Sequence, residues 1–306
     1  MTDVVAVLGA GGTMGSGMAR NIAHAGLELV AWNRSRERAE PLAREGAHIC
    51  DTAAQAVVEA QLVVTMLSDA EAVLATMAGQ HGGEGSGAGA AGALAGAQSG
   101  SVWIQMSTIG EQGTARCVEL AAEHGVGFVD APVLGTKQPA AEGKLVVMAS
   151  GPQELRERVQ PVFDAVARRT MWVDAEAGAG TRLKLVTNAW IVAAVEGVAE
   201  TIALAEGLGL DGSAFFEAID GGPLDMPYLR LKGGAMIERD FEPTFALKHA
   251  SKDARLAVES ATRLGLDLPV LEAISRRMQE AVGEHGDEDL SATYLTSTPR
   301  AVELPS

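Results

Sequence analysis

A chain of 306 residues with 47% hydrophobic and 21% charged side chains has the composition of a folded protein of about two domains, not of a disordered one. Its 24 basic and 40 acidic residues leave a net charge of −16, which repels nucleic-acid backbones and anionic lipid surfaces, and 6 Phe, 4 Trp and 2 Tyr are too few for a base-stacking platform. Neither nucleic acid nor a membrane is expected as a partner, and an anionic ligand needs a locally built site.

Met1-Thr2-Asp3 runs directly into apolar Val4 without the cationic region or cleavage site of a signal peptide, and Glu196 and Glu200 interrupt the best candidate for a bilayer span. A cytoplasmic location is expected. From Val4 to about Val173, short apolar runs alternate with helical patterns. Residues 4–8, 28–32, 62–67, 102–106, 127–129 and 145–149 read as strands, several of the continuously apolar kind found in buried parallel sheets. Residues 13–25, closed by Gly26, and 36–45, closed by Gly46, read as helices between them. This alternation predicts an α/β, doubly wound parallel sheet over residues 1–177. Residues 79–100 break the rhythm with Gly and Ala and fit either a loop or a frayed helix ending near Leu94. Cys50 and Cys117 have no CxxC or Cys/His spacing and read as buried, inert thiols in a reducing compartment, with no metal site.

After Ala177 strand patterns nearly vanish. Residues 181–207 read as one long helix, apolar on most sides, which implies burial between layers or against another subunit. Further helices are predicted over 212–220, 245–264 and 269–282, with a loose polar tail after Asp287. Residues 178–306 thus read as an all-helical second domain, and the apolar helix leads us to expect a homodimer or tetramer.

The string Gly9-Ala10-Gly11-Gly12-Thr13-Met14-Gly15 lies between a predicted strand and a predicted helix, where small residues let backbone N–H groups approach a pyrophosphate. It is an irregular form of GxGxxG, so the placement carries the reading more than the spacing does. The second strand ends in Asn33-Arg34-Ser35 with no acid for a ribose 2′-hydroxyl. A guanidinium fork suits a 2′-phosphate, so NADP(H) is the expected cofactor. The same residues equally fit a helix cap beside a solvated arginine.

Lys184 and Asn188 are four apart on one helix face. A lysine there either snorkels to solvent or, desolvated in a cleft, exchanges a proton with a substrate oxygen, with Asn188 holding it or the substrate. Ser107-Thr108 and Pro132-Val133-Leu134-Gly135-Thr136 follow the fourth and fifth predicted strands, where open α/β sheets collect ligands. None of the six histidines sits in a ligand pair, and GxSxG, HExxH and Walker patterns are missing from the sequence.

Together these residues resemble the β-hydroxyacid dehydrogenase family, which includes 3-hydroxyisobutyrate dehydrogenases and glyoxylate/succinic semialdehyde reductases. The resemblance runs nearly end to end, through the Gly-rich loop and residues 14–21, Ser107-Thr108-Ile109, Asp130-Ala131-Pro132-Val133, Lys184 with Asn188, and residues 248–253. It implies a Rossmann-type domain, of the 6-phosphogluconate dehydrogenase NAD-binding kind, followed by a helical domain. It also implies that Lys184 is the general acid/base oriented by Asn188. Gly9, Gly11, Gly12, Thr13, Met14, Asn33, Arg34, Ser35, Leu67, Ser68, Thr108 and Lys252 would hold the cofactor. Thr108, Leu134, Gly135, Thr136, Lys184, Asn188, Phe245 and Asp253 would border a small carboxylated substrate.

Residues 135–143 and the Asn33-Arg34-Ser35 turn are more similar to the semialdehyde reductase branch than to 3-hydroxyisobutyrate dehydrogenases. Three features depart from the family pattern: the irregular Gly-rich loop, Thr187, where many relatives carry an extra Asn, and Leu134, where a substrate-binding Ser is usual. Losing that hydroxyl favours a bulkier or less polar substrate. Reduction of succinic semialdehyde or glyoxylate is the leading expectation, with 3-hydroxyisobutyrate or tartronate semialdehyde chemistry beside it. An imine reductase shares a similar cofactor turn but usually replaces this lysine by Asp or Tyr. A non-catalytic NADPH-binding interaction protein would have no need to keep Lys184 and Asn188 in register.

Overall fold

The computed structural model describes residues 3–79 and 91–297. The chain divides into two compact units, Met1–Lys184 and Leu185–Ser306.

Among the described residues, the first unit holds a nine-stranded sheet. Its strands are β1 (Val4–Leu8), β2 (Glu28–Trp32), β3 (His48–Ile49), β4 (Leu62–Thr65), β5 (Val102–Gln105), β6 (Gly127–Asp130), β7 (Val133–Leu134), β8 (Leu145–Ser150) and β9 (Ala167–Asp174). The first six are parallel in the order β3-β2-β1-β4-β5-β6. This is the doubly wound order that leaves a crevice where the chain reverses direction across the sheet. Strand β8 is antiparallel to β6 and β7 and parallel to β9, so the far edge is mixed.

Both faces of the sheet are covered. Val5, Val7, Leu62, Val64 and Ile104 point into one core, whereas Ala6, Leu8, Val63 and Trp103 point into the other. That two-sided burial is why these strands are continuously apolar. The helices α1 (Gly15–His24), α2 (Ala53–Ala56), α3 (Ala70–Ala78), α4 (Ala93–Gly96), α5 (Gly110–Glu123), α6 (Lys137–Ala141) and α7 (Arg156–Val166) link the strands.

Several sequence expectations are corrected. Residues 36–45 form two 3₁₀ turns, Arg36–Arg38 and Glu40–Glu45, because Pro41 has no N–H to continue a helical ladder; Gly46 closes them at φ 89°. Strands β3 and β7 are only two residues long, and β9 begins Ala-Arg-Arg on an exposed edge, so none carries an apolar run. Of the Gly/Ala-rich segment 79–100, residues 80–90 lie outside the described residues, and the rest forms a bridge between Gly79 and Ala91 and then α4. Both cysteines are buried, and burial pushes the Cys117 thiol up to about 12.

Helix α8 (Ala179–Gly207) leads into the second unit, which adds α9 (Ala214–Ile219), α10 (Pro227–Glu238), α11 (Leu247–Arg263), α12 (Pro269–His285) and a 3₁₀ segment, Leu290–Thr296. Val192, Val195, Ala199 and Ile202 of α8 pack with Ala250, Ala254, Met278 and Tyr294 in one core. Contrary to expectation, α8 is long and apolar enough to cross a bilayer by length and composition. Here Glu196 is buried, held by Arg277 Nε at 2.6 Å and Thr293 Oγ1 at 2.7 Å.

The expected loose tail is also corrected: Leu290, Ala292 and Tyr294 are fully buried, while residues 298–306 lie outside the described residues. Helix α10 was not predicted because Gly233-Gly234 weakens its pattern. A Cβ at Gly233 would come within 2.2 Å of the Phe216 ring, so close packing demands the glycine.

The second unit is pinned by a buried ion pair. Lys232 Nζ donates to Asp289 Oδ1 and Oδ2 at 2.7 and 2.8 Å, and Asp289 also accepts from the N–H groups of Thr244, Phe245 and Ser291. Burial alone would raise the Asp289 pKa, but the Lys232 charge and these donors hold it below the ordinary carboxylate value. Its stabilising contribution is therefore present above the ordinary carboxylate range and lost as pH falls. Lys232→Ala, which leaves that carboxylate unpaired, is expected to lower the unfolding free energy by about 3–5 kcal/mol in urea denaturation. A loss below about 1 kcal/mol, the scale of an exposed pair, would overturn the assignment.

Candidate active site

Because β1, β4, β5 and β6 are parallel, their carboxyl ends and the loops that follow share one edge of the sheet. Strand β1 feeds Gly9, whose φ of 96° turns the chain sharply. Gly9 and Ala10 donate to the Trp32 carbonyl at 2.9 and 3.1 Å, tying the loop to the end of β2. A Cβ on Gly15 would lie 2.2 Å from the Gly9 carbonyl oxygen, so α1 can start this close to the turn only with glycine there.

No side chain caps α1, and among the described residues the Thr13 and Met14 N–H groups donate to no protein acceptor. Free N–H groups at a helix N-terminus and a glycine-lined approach fit the pyrophosphate of a dinucleotide.

Asn33 has a structural task that its place in the sequence hides. Its Oδ1 accepts from Gly11 N–H at 3.1 Å and its Nδ2 donates to the Ser35 carbonyl at 2.9 Å. The carboxamide thus joins the glycine loop to the turn after β2. Arg34 is exposed, with no ion pair of its guanidinium among the described residues. Arg38, missed in the sequence, belongs to the same corner: a Cβ on Gly11 would meet the Arg38 Cβ at 2.7 Å and the Asn33 Cγ at 2.8 Å.

The exits of β4 and β5 are locked together by a buried polar chain. Trp103 Nε1 donates to Thr65 Oγ1 (2.9 Å), and Gln105 bonds Ser107 at both its N–H and its carbonyl (2.8 Å each). Ser107 Oγ accepts from Leu67 N–H at 2.8 Å. Ser107 is therefore committed to the scaffold, and Leu67 can meet a cofactor only through its carbonyl or side chain. Ser68 Oγ bonds the Asp69 carboxylate at 2.7 Å, and Asp69 in turn caps α3. Thr108, the next residue along from Ser107, is half-buried at the start of the following loop.

After β6, Leu134 ends β7, and Gly135 (φ 131°) and Thr136 lead into α6. Leu134, Gly135 and Thr136 are all partly exposed. Helix α6 docks on α1 where Gly17 allows it: a Cβ there would be 2.8 Å from Ala140 backbone, and Asn21 Nδ2 donates to the Ala140 carbonyl at 2.8 Å. The turn bearing Leu134–Thr136 is thereby fixed to the helix that follows the glycine loop.

Lys184 lies one turn into α8 and is only 8% exposed, so the buried alternative replaces the snorkelling one. In the second unit, Asn188 Nδ2 donates to Asp253 Oδ2 at 2.6 Å, and Lys252 Nζ pairs with Asp253 Oδ1 at 2.8 Å. Asn188 is 1% exposed, and among the described residues its Oδ1 has no hydrogen-bond partner. An orphaned acceptor at that depth fits a ligand donor. Phe245 is half-buried, its N–H held by Asp289 at 3.2 Å just before α11.

Residues 4–174 match the NAD-binding domain of 6-phosphogluconate dehydrogenase, and residues 178–296 match the NAD-binding domain of NADP-dependent 3-hydroxyisobutyrate dehydrogenase. The chain belongs to the β-hydroxyacid dehydrogenase family. It is 30% identical over 283 residues to glyoxylate/succinic semialdehyde reductase 2, chloroplastic, of Arabidopsis thaliana, covering 92% of this chain and 76% of that protein. It is 29% identical over 282 residues to glyoxylate/succinic semialdehyde reductase 1 of the same plant, covering 92% and 94%. Its fold matches a crystal structure of 3-hydroxyisobutyrate dehydrogenase from Salmonella typhimurium with a TM-score of 0.85 at 24% identity, over 96% of this chain and 99% of that one. As a β-hydroxyacid dehydrogenase, the protein is an NAD(P)-dependent oxidoreductase acting on hydroxyl or aldehyde groups of small molecules.

Proposed function

We propose that this dehydrogenase works as an NADPH-dependent reductase of small carboxylated semialdehydes, of the succinic semialdehyde or glyoxylate type. The observation that carries the reading is Lys184, a lysine buried on the first turns of α8, with Asn188 one turn further on and an unpartnered oxygen on that side chain. A buried ammonium gains more from donating a proton than a solvated one does. Lys184 would pass its proton to the carbonyl oxygen of the aldehyde, and Asn188 would orient it. The nicotinamide, when bound, supplies the hydride. The similarity to two glyoxylate/succinic semialdehyde reductases supports this substrate class.

Two features refine it. Arg34 and Arg38 stand exposed, without ion pairs among the described residues, beside the glycine loop, and guanidinium groups there suit a 2′-phosphate. Leu134 places an isobutyl group in the strand-exit turn, which favours a substrate with more apolar length beside its carboxylate. A second copy of the chain is the partner we infer for the exposed apolar face of α8, where Val186, Trp190 and Leu204 are each more than 60% exposed.

NADPH oxidation with succinic semialdehyde is expected to proceed, and Lys184→Ala should lower kcat at least about a hundredfold with NADPH affinity unchanged. Near-normal turnover in that variant would remove Lys184 from the chemistry. Arg34→Ala and Arg38→Ala should each raise the KM for NADPH about tenfold or more while leaving NADH unaffected. Equal losses for both cofactors would refute the 2′-phosphate assignment. Light scattering should give a mass of at least twice 31.6 kDa, and a single-chain mass would refute the pairing.

A further inference from the structure

The mechanism leaves one buried charged residue of the first unit unused. Asp130, fully buried at the end of β6, is paired across the sheet with Ser150 at the end of β8. Its carboxylate receives four donors. Gly178 N–H and Thr181 N–H reach Oδ2 at 3.1 and 2.8 Å, Ser150 Oγ reaches it at 3.1 Å, and Thr181 Oγ1 donates to Oδ1 at 2.7 Å. Ser150 Oγ in turn accepts from Gly180 N–H at 2.9 Å. The first turn of α8 is thus capped by a residue about 50 positions earlier in the chain, not by a neighbour.

We propose that Asp130 is the positioning residue for Lys184: by clamping the start of α8 to the sheet it fixes where the Lys184 amine meets the substrate. The inference rests on the reading of Lys184 as proton donor. A cap supplied by the preceding loop would stabilise the helix equally well, since Ser, Thr, Asp or Asn at its start satisfies the same N–H groups. What only a strand-end carboxylate achieves is a fixed distance between the helix and the carboxyl edge of the sheet, where the cofactor loop lies. Gly180 completes the contact: a Cβ there would be 2.2 Å from the Met148 carbonyl oxygen, so the backbone of α8 touches β8 directly. Lys184 follows Thr181 by three residues, less than one helical turn, over which a helix transmits such a constraint without slack.

The same clamp reaches the other side of the site. Thr181 Oγ1 lies 2.9 Å from Thr114 Oγ1 on α5, and Thr114 Oγ1 donates to the Gly110 carbonyl at 3.0 Å. Gly110 starts α5, two residues after Thr108. One carboxylate therefore sets both the helix that carries the proton donor and the helix that follows the substrate-side threonine. Burial works against the ionised carboxyl and raises its pKa, a cost that a merely local cap would avoid.

The test uses the whole chain, with Thr181→Val and Thr181→Ser beside Asp130→Asn and the parent protein, and double variants with Lys184→Ala. Asp130→Asn and Thr181→Val should lower kcat at least about tenfold with NADPH affinity unchanged, since small misplacements of a catalytic group are costly. Thr181→Ser keeps the hydroxyl and should stay within about twofold of the parent protein. In a Lys184→Ala background, Asp130→Asn should cost less than about twofold more, because two residues that act as one are non-additive. In the protein without cofactor, reductive methylation of Lys184, read by peptide mass spectrometry, should accelerate at least about threefold in Asp130→Asn, with exposed Lys144 unchanged.

Full additivity of the two substitutions, normal kcat in Asp130→Asn, or an unchanged Lys184 methylation rate would each overturn the proposal while leaving Lys184 as proton donor. Normal turnover in Lys184→Ala alone would instead overturn the reading on which it rests. Should Asp130→Asn fail to fold, Thr181→Val and its double variant with Lys184→Ala decide the matter by the same criteria.

Discussion

Parallel pairing on both sides of β1 is the constraint from which the site follows. With β2 and β4 running in the same direction as β1, the glycine loop, the Asn33–Ser35 turn and the Leu67–Ser68 exit all leave the sheet at one edge. A parallel sheet of this kind needs both faces covered, which commits the strands to Val, Leu and Ile and pushes polar function to their ends. The chemistry-bearing residues of the first unit stand accordingly just beyond a strand or on the first turns of the helix that follows. The polar side chains inside the sheet, Thr65, Gln105 and Asp130, hold strand ends and helix starts in place.

These internal polar groups divide the edge into two rigid halves. On one side the Trp103–Thr65 bond and the Gln105–Ser107–Leu67 chain hold the β4 and β5 exits at a fixed spacing, so the loops that leave them have little freedom to drift. On the other side Asp130 holds α8, and the Gly17–Ala140 contact ties the Leu134–Thr136 turn to α1. The second half depends on approaches that a single methyl group would block, at Gly17 and Gly180, as the start of α1 does at Gly15. Pre-set geometry of this kind spares an active site reorganisation at the moment of reaction.

What was legible in the sequence follows the same division. The strands buried on both faces were readable as apolar runs, and the β–α alternation gave the layer order. The edge strand β9 was invisible because Arg168 and Arg169 face solvent. The buried tail was misread because Asp289 and Thr293 look polar until their partners are known, and those partners lie 45 to 97 residues away. At the site, the four-residue spacing of Lys184 and Asn188 was a local signal. Asn33 was not: it serves Gly11, 22 positions earlier, and its task as a brace cannot be told from cofactor binding by residue type. Ser107 and Thr108 adjoin in sequence, yet the scaffold takes the first and leaves the second half-exposed.

Charge explains how a chain of net −16 holds an anionic cofactor. The summed field repels such a ligand at long range, so affinity must come from within about a Debye length, roughly 8–10 Å. The positive features are correspondingly local. The uncapped start of α1 offers Thr13 and Met14 N–H groups, and Arg34 and Arg38 stand at its corner. Many of the remaining cations are spoken for: Lys232 by Asp289, Arg277 by Glu196, Arg230 by Asp225 and Lys252 by Asp253. Pairing of this kind cancels positive potential elsewhere on the surface and leaves the glycine loop as a place where an anion gains without a competing carboxylate. The backbone at that corner is held by glycines and an asparagine and not by charged residues.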